Sequence, residues 1–126
     1  MENAPSHVLI VEDQEENRLL LGTICKRLGL GVIEAEDGIE GLERFSSDPK
    51  PDLVFMDIRM PRMDGYACIE KIRELDTETP IVVITAEPEA MVKSKISEEK
   101  VNFIVTKPFR LKDINTLLTE RFPLKT

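Results

Sequence analysis

Four apolar stretches of this chain end in side chains that can take part in catalysis. Residues 8–11 precede Glu12 and Asp13, residues 53–56 precede Asp57, residues 81–84 precede Thr85, and residues 103–106 precede Lys107. Each stretch has the length and the continuous apolar character of a strand buried on both faces of a parallel sheet. The carboxyl ends of parallel strands meet at one edge, which is where open α/β sheets bind ligands. We therefore expect three carboxylates, a hydroxyl and an ammonium group to lie together there.

Crowded carboxylates of this kind require positive charge between them. Two like charges about 4 Å apart repel by roughly 4 kcal/mol at an effective dielectric constant near 20. Oxygen ligands without histidine or cysteine favour Mg²⁺, with Mn²⁺ as the alternative ion, and Lys107 adds a permanent positive charge. A carboxylate flanked by a divalent ion, a lysine and a hydroxyl meets the needs of phosphoryl transfer. Asp57 is then the candidate nucleophile, which would form an aspartyl phosphate.

Each of these residues has a plain structural explanation when it is considered alone. An acidic pair such as Glu12-Asp13 is typical of a helix start, where the helix dipole favours negative charge. Thr85 alone would be a strand-end or capping hydroxyl, and Lys107 alone a solvated lysine. Asp64-Gly65 indicates a turn followed by a helix. The functional interpretation depends on all four strands ending in groups that complement one another chemically.

The elements that must position these groups alternate between strands and helices. Apolar residues at helical spacing predict helices over about residues 14–28, 39–45, 66–73, 88–100 and 111–122, and residues 32–35 form a weaker strand. Gly29 should end the first helix as its cap. Five strands that alternate with five helices across short loops predict a doubly wound α/β fold. Its parallel sheet would carry helices on both faces, joined by right-handed crossovers.

The size and composition of the chain indicate one soluble globular domain. A length of 126 residues suits one domain over 1–126 with a core of about 7–122, and 41% of the residues are hydrophobic. A net charge of -7 disfavours nucleic acid and anionic membranes as direct partners. The chain has no membrane-length apolar run or signal peptide, which predicts a cytoplasmic location. Cys25 and Cys68 should be buried thiols, and His7 has no predicted role.

The chain resembles the receiver domain of two-component response regulators along essentially its whole length. The matching segments are Val8-Leu9-Ile10-Val11-Glu12-Asp13, Met56-Asp57-Ile58-Arg59-Met60-Pro61 continuing to Met63-Asp64-Gly65, Ile84-Thr85-Ala86, and Thr106-Lys107-Pro108-Phe109. The resemblance implies a flavodoxin-like strand order, 2-1-3-4-5. It also implies that Asp57 accepts a phosphoryl group from a histidine kinase or a phosphotransfer protein, and that phosphorylation switches a surface that binds an unknown downstream protein. The family is a signalling phosphoacceptor rather than a dedicated enzyme, although it can catalyse its own phosphorylation and dephosphorylation.

The resemblance also assigns roles to individual residues of the site. Glu12, Asp13 and Asp57 would hold Mg²⁺ directly or through water, and the backbone carbonyl of Arg59 would complete the metal shell. Thr85 would bond the phosphoryl group, Lys107 would pair with it, and the peptide bond between Lys107 and Pro108 would be cis. Arg59, Ala86, Glu87 and Pro108 would flank the opening, and Arg59 and Glu87 carry opposite charges that could pair across it.

One position departs from the family pattern. Receiver domains usually have tyrosine or phenylalanine three residues before the lysine, and that aromatic ring moves inward as the threonine is drawn to the phosphoryl group. Ile104 occupies that position here, and Phe103 should face the other side of the strand. We therefore expect normal phosphorylation chemistry and a weaker signalling movement.

Two other function classes remain open on the sequence alone. An aspartyl-phosphate phosphatase on a similar sheet would need a second acid two residues after the nucleophile, where this chain has Arg59. A binding module, either a flavodoxin-like carrier or a receiver that no longer takes phosphate, is the other. The flavin version lacks support, because no phosphate-binding loop rich in glycine, serine or threonine follows the first strand.

Overall fold

A parallel five-stranded sheet forms the centre of the protein in a computed structural model, which describes residues 5–122. The strands are β1 (His7–Val11), β2 (Gly31–Ala35), β3 (Leu53–Asp57), β4 (Ile81–Thr85) and β5 (Phe103–Thr106). The helices are α1 (Glu15–Arg27), α2 (Gly38–Phe45), α3 (Gly65–Leu75), α4 (Glu89–Lys95) and α5 (Leu111–Arg121). The strand order is β2-β1-β3-β4-β5 with every pair parallel, so the predicted doubly wound fold and flavodoxin-like order are confirmed.

The sheet separates two apolar layers, because successive strand residues point to opposite faces. Alternate residues of β1 and β3 pack against α2, α3 and α4 on one face and against α1 and α5 on the other. β3 and β4 are buried at every residue, which explains why they read as unbroken apolar runs. Cys25 and Cys68 are buried, one in each layer, and burial raises the pKa of both thiols to about 12. The prediction that both are buried thiols is confirmed.

The predicted helix over residues 88–100 is wrong in its length. α4 ends at Lys95, and Ile96 adopts an extended conformation before a short 3₁₀ turn, Glu98–Lys100. Val92 and Ile96 are the buried apolar residues of this segment, and the polar residues that follow give a helix no face to bury. The first helix ends as predicted near Gly29, whose φ of 86° is a left-handed conformation suited to glycine. No described helix is long and apolar enough to cross a membrane.

The β3–α3 loop is held at two points, one next to the end of β3 and one at the start of α2. The amide of Gly65 donates to the carbonyl of Ile58 at 2.8 Å, and a Cβ at Gly65 would collide with the carbonyl oxygen of Asp57. Earlier in the loop, the Nε of Arg62 donates to the carboxylate of Asp37 at 2.7 Å, although Arg62 adopts a φ of 67° that disfavours side chains. These contacts fix the chain that follows the candidate nucleophile.

Candidate functional site

Three carboxylates meet at the carboxyl ends of β1 and β3, as the sequence predicts. One oxygen each from Glu12, Asp13 and Asp57 lies within 4.8 Å of the others. Glu12 is 1% exposed and Asp57 5% exposed, whereas Asp13 faces solvent. Two buried carboxylates and one exposed carboxylate therefore form an acidic cluster that opens to the surface on one side.

The backbone around Glu12 places its side chain toward this cluster. Its amide donates to the carbonyl of Ala35 at 3.0 Å, which extends the pairing of β1 with β2 by one residue. The Nη1 of Arg18 then donates to the carbonyl of Glu12 at 2.8 Å. One carboxylate oxygen of Glu12 accepts from the amide of Gln14 at 3.1 Å. The chain therefore leaves the strand at Glu12 in a fixed direction.

Lys107 supplies the positive charge that faces the acids. Its Nζ lies 3.2 Å from the Oε1 of Glu12 and 3.5 Å from the Oδ2 of Asp57. Its backbone amide donates to the carbonyl of Thr85 at 2.7 Å, which holds the turn after β5 against the end of β4. The bond from Lys107 to Pro108 is cis, as the resemblance implies. Lysine and acids thus converge from strands that are distant in the sequence.

Asp57 carries an unusual protonation equilibrium. Burial raises the pKa of its carboxyl group to about 7, the negative charge of Glu12 adds to the increase, and Lys107 opposes it. Its Oδ1 accepts a hydrogen bond from the amide of Ile58 at 2.8 Å, which also favours the ionised form. A single lysine therefore does not compensate the buried acids, and a further cation would restore the ionised nucleophile.

The chemistry of these donors fits a hard divalent cation. All three side chains offer carboxylate oxygens, which Mg²⁺ and Mn²⁺ prefer. The Oε1 of Glu12 is buried and accepts no hydrogen bond from the residues described, because its contact with Lys107 is an ion pair without hydrogen-bond alignment. A buried acceptor of this kind has a lone pair available for a cation or its water. The metal role of the Arg59 carbonyl remains a prediction.

Thr85 ends β4, the strand that pairs with β3 next to Asp57. Asp57 pairs with Ile84 across the sheet, so Thr85 lies one residue beyond the strand neighbour of Asp57. Thr85 is fully buried, and its Oγ1 accepts a hydrogen bond from the amide of Glu87 at 3.0 Å. Ala86 follows on the exposed side and, with Pro108, lines a shallow groove at the edge of the site. The hydrogen bond from the Glu87 amide therefore positions the hydroxyl of Thr85 at the start of the turn after β4.

Arg59 and Glu87 form the ion pair that their opposite charges predict. The Nε of Arg59 lies 2.7 Å from one carboxylate oxygen of Glu87, and the hydroxyl of Tyr66 donates to the other oxygen at 2.6 Å. Tyr66 is not among the site residues predicted from the sequence, where it only begins the third predicted helix. A partner 21 residues away leaves no local pattern, so a single sequence carries no signal for it.

Ile104 and Phe103 face opposite sides of β5, as predicted. Ile104 packs against the apolar layer on the α2–α4 side, and Phe103 belongs to the layer covered by α1 and α5. The ring of Phe103 meets Phe122 edge to face, with centroids 5.6 Å apart. The position that is usually aromatic in the family therefore carries an aliphatic side chain, which packs in the layer on the α2–α4 side.

The fold and the acidic cluster define a doubly wound α/β protein with three carboxylates at the strand ends that could hold a divalent cation. A family model described as the response regulator receiver domain matches residues 8–119. The chain therefore belongs to the receiver domain family of two-component response regulators, whose members accept phosphoryl groups on aspartate from histidine kinases.

Individual relatives agree with this assignment. The chemotaxis protein CheY of Treponema pallidum is 39% identical over 114 residues, which is 88% of this chain and 78% of that protein. The regulatory protein AtoC of Escherichia coli is 32% identical over 98% of this chain, and the match spans only 26% of AtoC. A structure of the CheX-CheY-BeF3-Mg+2 complex from Borrelia burgdorferi superimposes with a TM-score of 0.85 at 27% identity, covering 94% of this chain and 90% of that one.

Proposed function

We propose that Asp57 accepts a phosphoryl group from a histidine kinase or a histidine phosphotransfer protein in a reaction that requires Mg²⁺ or Mn²⁺. The observation that carries this proposal is the convergence of Glu12, Asp13 and Asp57 within 4.8 Å, with Lys107 facing two of these acids. The proposal treats residues 1–126 as a single receiver domain, acting alone or within a longer protein.

The residues of the site divide the work of phosphoryl transfer. A carboxylate oxygen of Asp57 forms a bond to phosphorus while the bond between phosphorus and the donor's histidine nitrogen breaks. Lys107 offsets the negative charge of the incoming phosphoryl group, and the hydroxyl of Thr85 donates a hydrogen bond to one of its oxygens. A divalent ion held by the three carboxylates and the Arg59 carbonyl would neutralise the remaining phosphoryl charge.

The surface beside the site supports a protein as the phosphoryl donor. Leu19 and Leu20 of α1 and Leu111 at the start of α5 are exposed apolar residues that line one groove. A second groove shares Leu20 and reaches Lys107, so apolar surface leads up to the acceptor. Such a surface suits an apolar helical partner that presents a phosphohistidine. The net charge of -7 argues against direct contacts with nucleic acid or an anionic membrane, and we propose a cytoplasmic location.

The family assignment makes the protein a signalling phosphoacceptor, so the phosphatase and the flavin carrier lose their support. We propose that the domain still catalyses its own phosphorylation and dephosphorylation, because the groups that activate Asp57 belong to this chain. Phosphorylation would then switch a surface that binds a downstream protein.

Intact-protein mass spectrometry after incubation with Mg²⁺ and acetyl phosphate tests the proposal. We expect one phosphoryl group on the wild type and none after chelation of the metal or in Asp57→Asn. Asp48→Asn is the matched control, because it makes the same chemical change at an exposed position away from the site. An unmodified wild type would contradict the phosphoacceptor proposal, and rapid multiple turnover without an adduct would favour a phosphatase.

A further inference from the structure

Glu87 is a buried carboxylate that receives hydrogen bonds from two different elements. It is only 7% exposed, and its two oxygens are bonded by Arg59 of the β3–α3 loop and by Tyr66 of α3. The two donors differ in their surroundings: the side chain of Arg59 is 76% exposed, whereas Tyr66 packs against the apolar layer on the α2–α4 side. An exposed ion pair is weak and screened by salt, so Tyr66 is the firmer of the two partners.

Tyr66 stands on a rigid part of the fold. It follows Gly65, the first residue of α3, and the carboxylate of Asp64 caps this helix by accepting from the amide of Ala67 at 2.9 Å. The ammonium group of Lys95 in α4 lies 5.6 Å from the centre of the Tyr66 ring. The phenol is therefore fixed by its helix and by packing, and its hydroxyl can hold the turn after β4 in place.

The turn that Tyr66 holds also positions the hydroxyl of Thr85. The amide of Glu87 donates to the Oγ1 of Thr85 at 3.0 Å, and its side chain accepts from the hydroxyl of Tyr66. Glu87 therefore links Tyr66 to Thr85. A threonine hydroxyl has two lone pairs and one proton. Because the amide of Glu87 occupies a lone pair, the proton remains free to donate to a phosphoryl oxygen.

We propose that Tyr66 is a positioning residue of the phosphoacceptor site, which acts through Glu87 to keep the Thr85 hydroxyl ready to bond a phosphoryl group. This inference rests on the proposed function, since it concerns the same site. Without the Tyr66 hydroxyl, the turn after β4 loses its contact with α3, and the Thr85 hydroxyl must be ordered when the phosphoryl group binds. That ordering weakens binding.

The fluorescence of Tyr66 tests its bond to Glu87 without any phosphoryl group. The chain has one tyrosine and no tryptophan, so tyrosine emission reports on this side chain alone. A carboxylate that accepts a hydrogen bond from a phenol quenches its emission. We expect Glu87→Ala to increase the emission, with no change in Glu74→Ala, which removes an exposed glutamate from the same helix as Tyr66. Equal emission in the wild type and Glu87→Ala would overturn the proposal.

Binding of beryllofluoride, a phosphoryl mimic, tests the positioning role itself. Tyr66→Phe keeps the ring and removes only the hydroxyl, and ¹⁹F NMR titration measures the affinity at saturating Mg²⁺. We expect the affinity to fall by about three- to tenfold, the effect of one hydrogen bond, with no change in Mg²⁺ affinity and with the variant still fully folded at the assay temperature. In the Glu87→Ala background, Tyr66→Phe should have no further effect, because the link to Thr85 is already lost.

The possible results separate this inference from the proposed function. Unchanged beryllofluoride affinity in Tyr66→Phe, alongside a wild type that is phosphorylated at Asp57, would reject the positioning role and leave the phosphoacceptor function standing. A fall in affinity that persists unchanged in the Glu87→Ala background would also reject it, because Tyr66 would then act by another route. A wild type that takes no phosphoryl group would reject the proposed function, whatever the fluorescence shows.

Discussion

Replacing the candidate nucleophile should make the metal-free protein more stable, and more so as the pH rises. In the folded protein, burial and Glu12 raise the pKa of Asp57 to about 7, against 3.8 for the free side chain. The folded state therefore binds more protons than the unfolded state between these two values. Stability falls as the pH rises through this range, and the loss is complete above the folded pKa. Asp57→Asn removes the titrating group and keeps nearly the same shape.

The size of this effect follows from the pKa difference. Each unit of difference corresponds to about 1.4 kcal/mol, so the free energy of unfolding falls by about 4 kcal/mol in total at most. About half or more of this loss occurs between pH 5 and pH 8. Relaxation of the site makes the loss smaller than this maximum. We expect the stability advantage of Asp57→Asn to grow on the order of 2 kcal/mol between these two pH values. Asp37, Asp76 and Glu87 have lowered pKa values, so they titrate mainly below pH 5 in both proteins.

Urea unfolding in EDTA at pH 5 and pH 8 measures this difference for the wild type and Asp57→Asn. The matched variant Asp48→Asn should show no such pH dependence relative to the wild type. Mg²⁺ should stabilise the wild type at pH 8 and have less effect on Asp57→Asn, because binding to the folded state adds stability by mass action. A stability difference between the wild type and Asp57→Asn that is equal at both pH values would refute the reasoning.

Three further predictions concern residues around the acceptor. Because a side chain held over the site hinders the attacking water, Arg59→Ala and Glu87→Ala should each speed loss of the phosphoryl group, and added salt should speed it in the wild type. Phosphate-release rates decide this, and additive effects in the double variant would contradict a shared gate. With Ile104 at the usual aromatic position, beryllofluoride should shift amide resonances less on the face of α4, β5 and α5 than at the site. NMR mapping tests this, and equally large shifts on that face would disprove it. Calorimetry should show a higher melting temperature for Arg62→Gly than for Arg62→Ala, because glycine adopts a φ of 67° more readily than alanine. A higher melting temperature for Arg62→Ala would count against strain at Arg62.

The sheet and the main site residues could be predicted because the relevant signals are local in the sequence. Unbroken apolar runs mark strands buried on both faces, and β3 and β4 are buried at every residue. The rule that parallel strands share a carboxyl edge then brings Asp57, Thr85 and Lys107 together without knowledge of any contact. Helix ends were harder, because α4 stops where its buried face runs out rather than at a glycine or proline.

Contacts between polar side chains of separate loops could not be predicted in the same way. The pairing of Arg59 with Glu87 was predictable because the resemblance to receiver domains implies that both side chains flank the opening, and their charges are opposite. The bonds from Tyr66 to Glu87 and from Arg62 to Asp37 depend on how two loops approach each other after the core has packed. No periodicity or spacing records that approach, so the support around Thr85 emerged only from the structure.

Locating the phosphoryl group within the chain tests the central claim most directly. The protein is treated with acetyl phosphate and Mg²⁺, the acyl phosphate is trapped by borohydride reduction, and the modified residue is identified by tandem mass spectrometry of peptides. We predict that Asp57 alone is converted to homoserine, and that omitting Mg²⁺ or adding EDTA prevents it. Modification at Asp13 or Glu12 instead, or modification of Asp57 that is unaffected by EDTA, would contradict a metal-dependent acceptor at the end of β3.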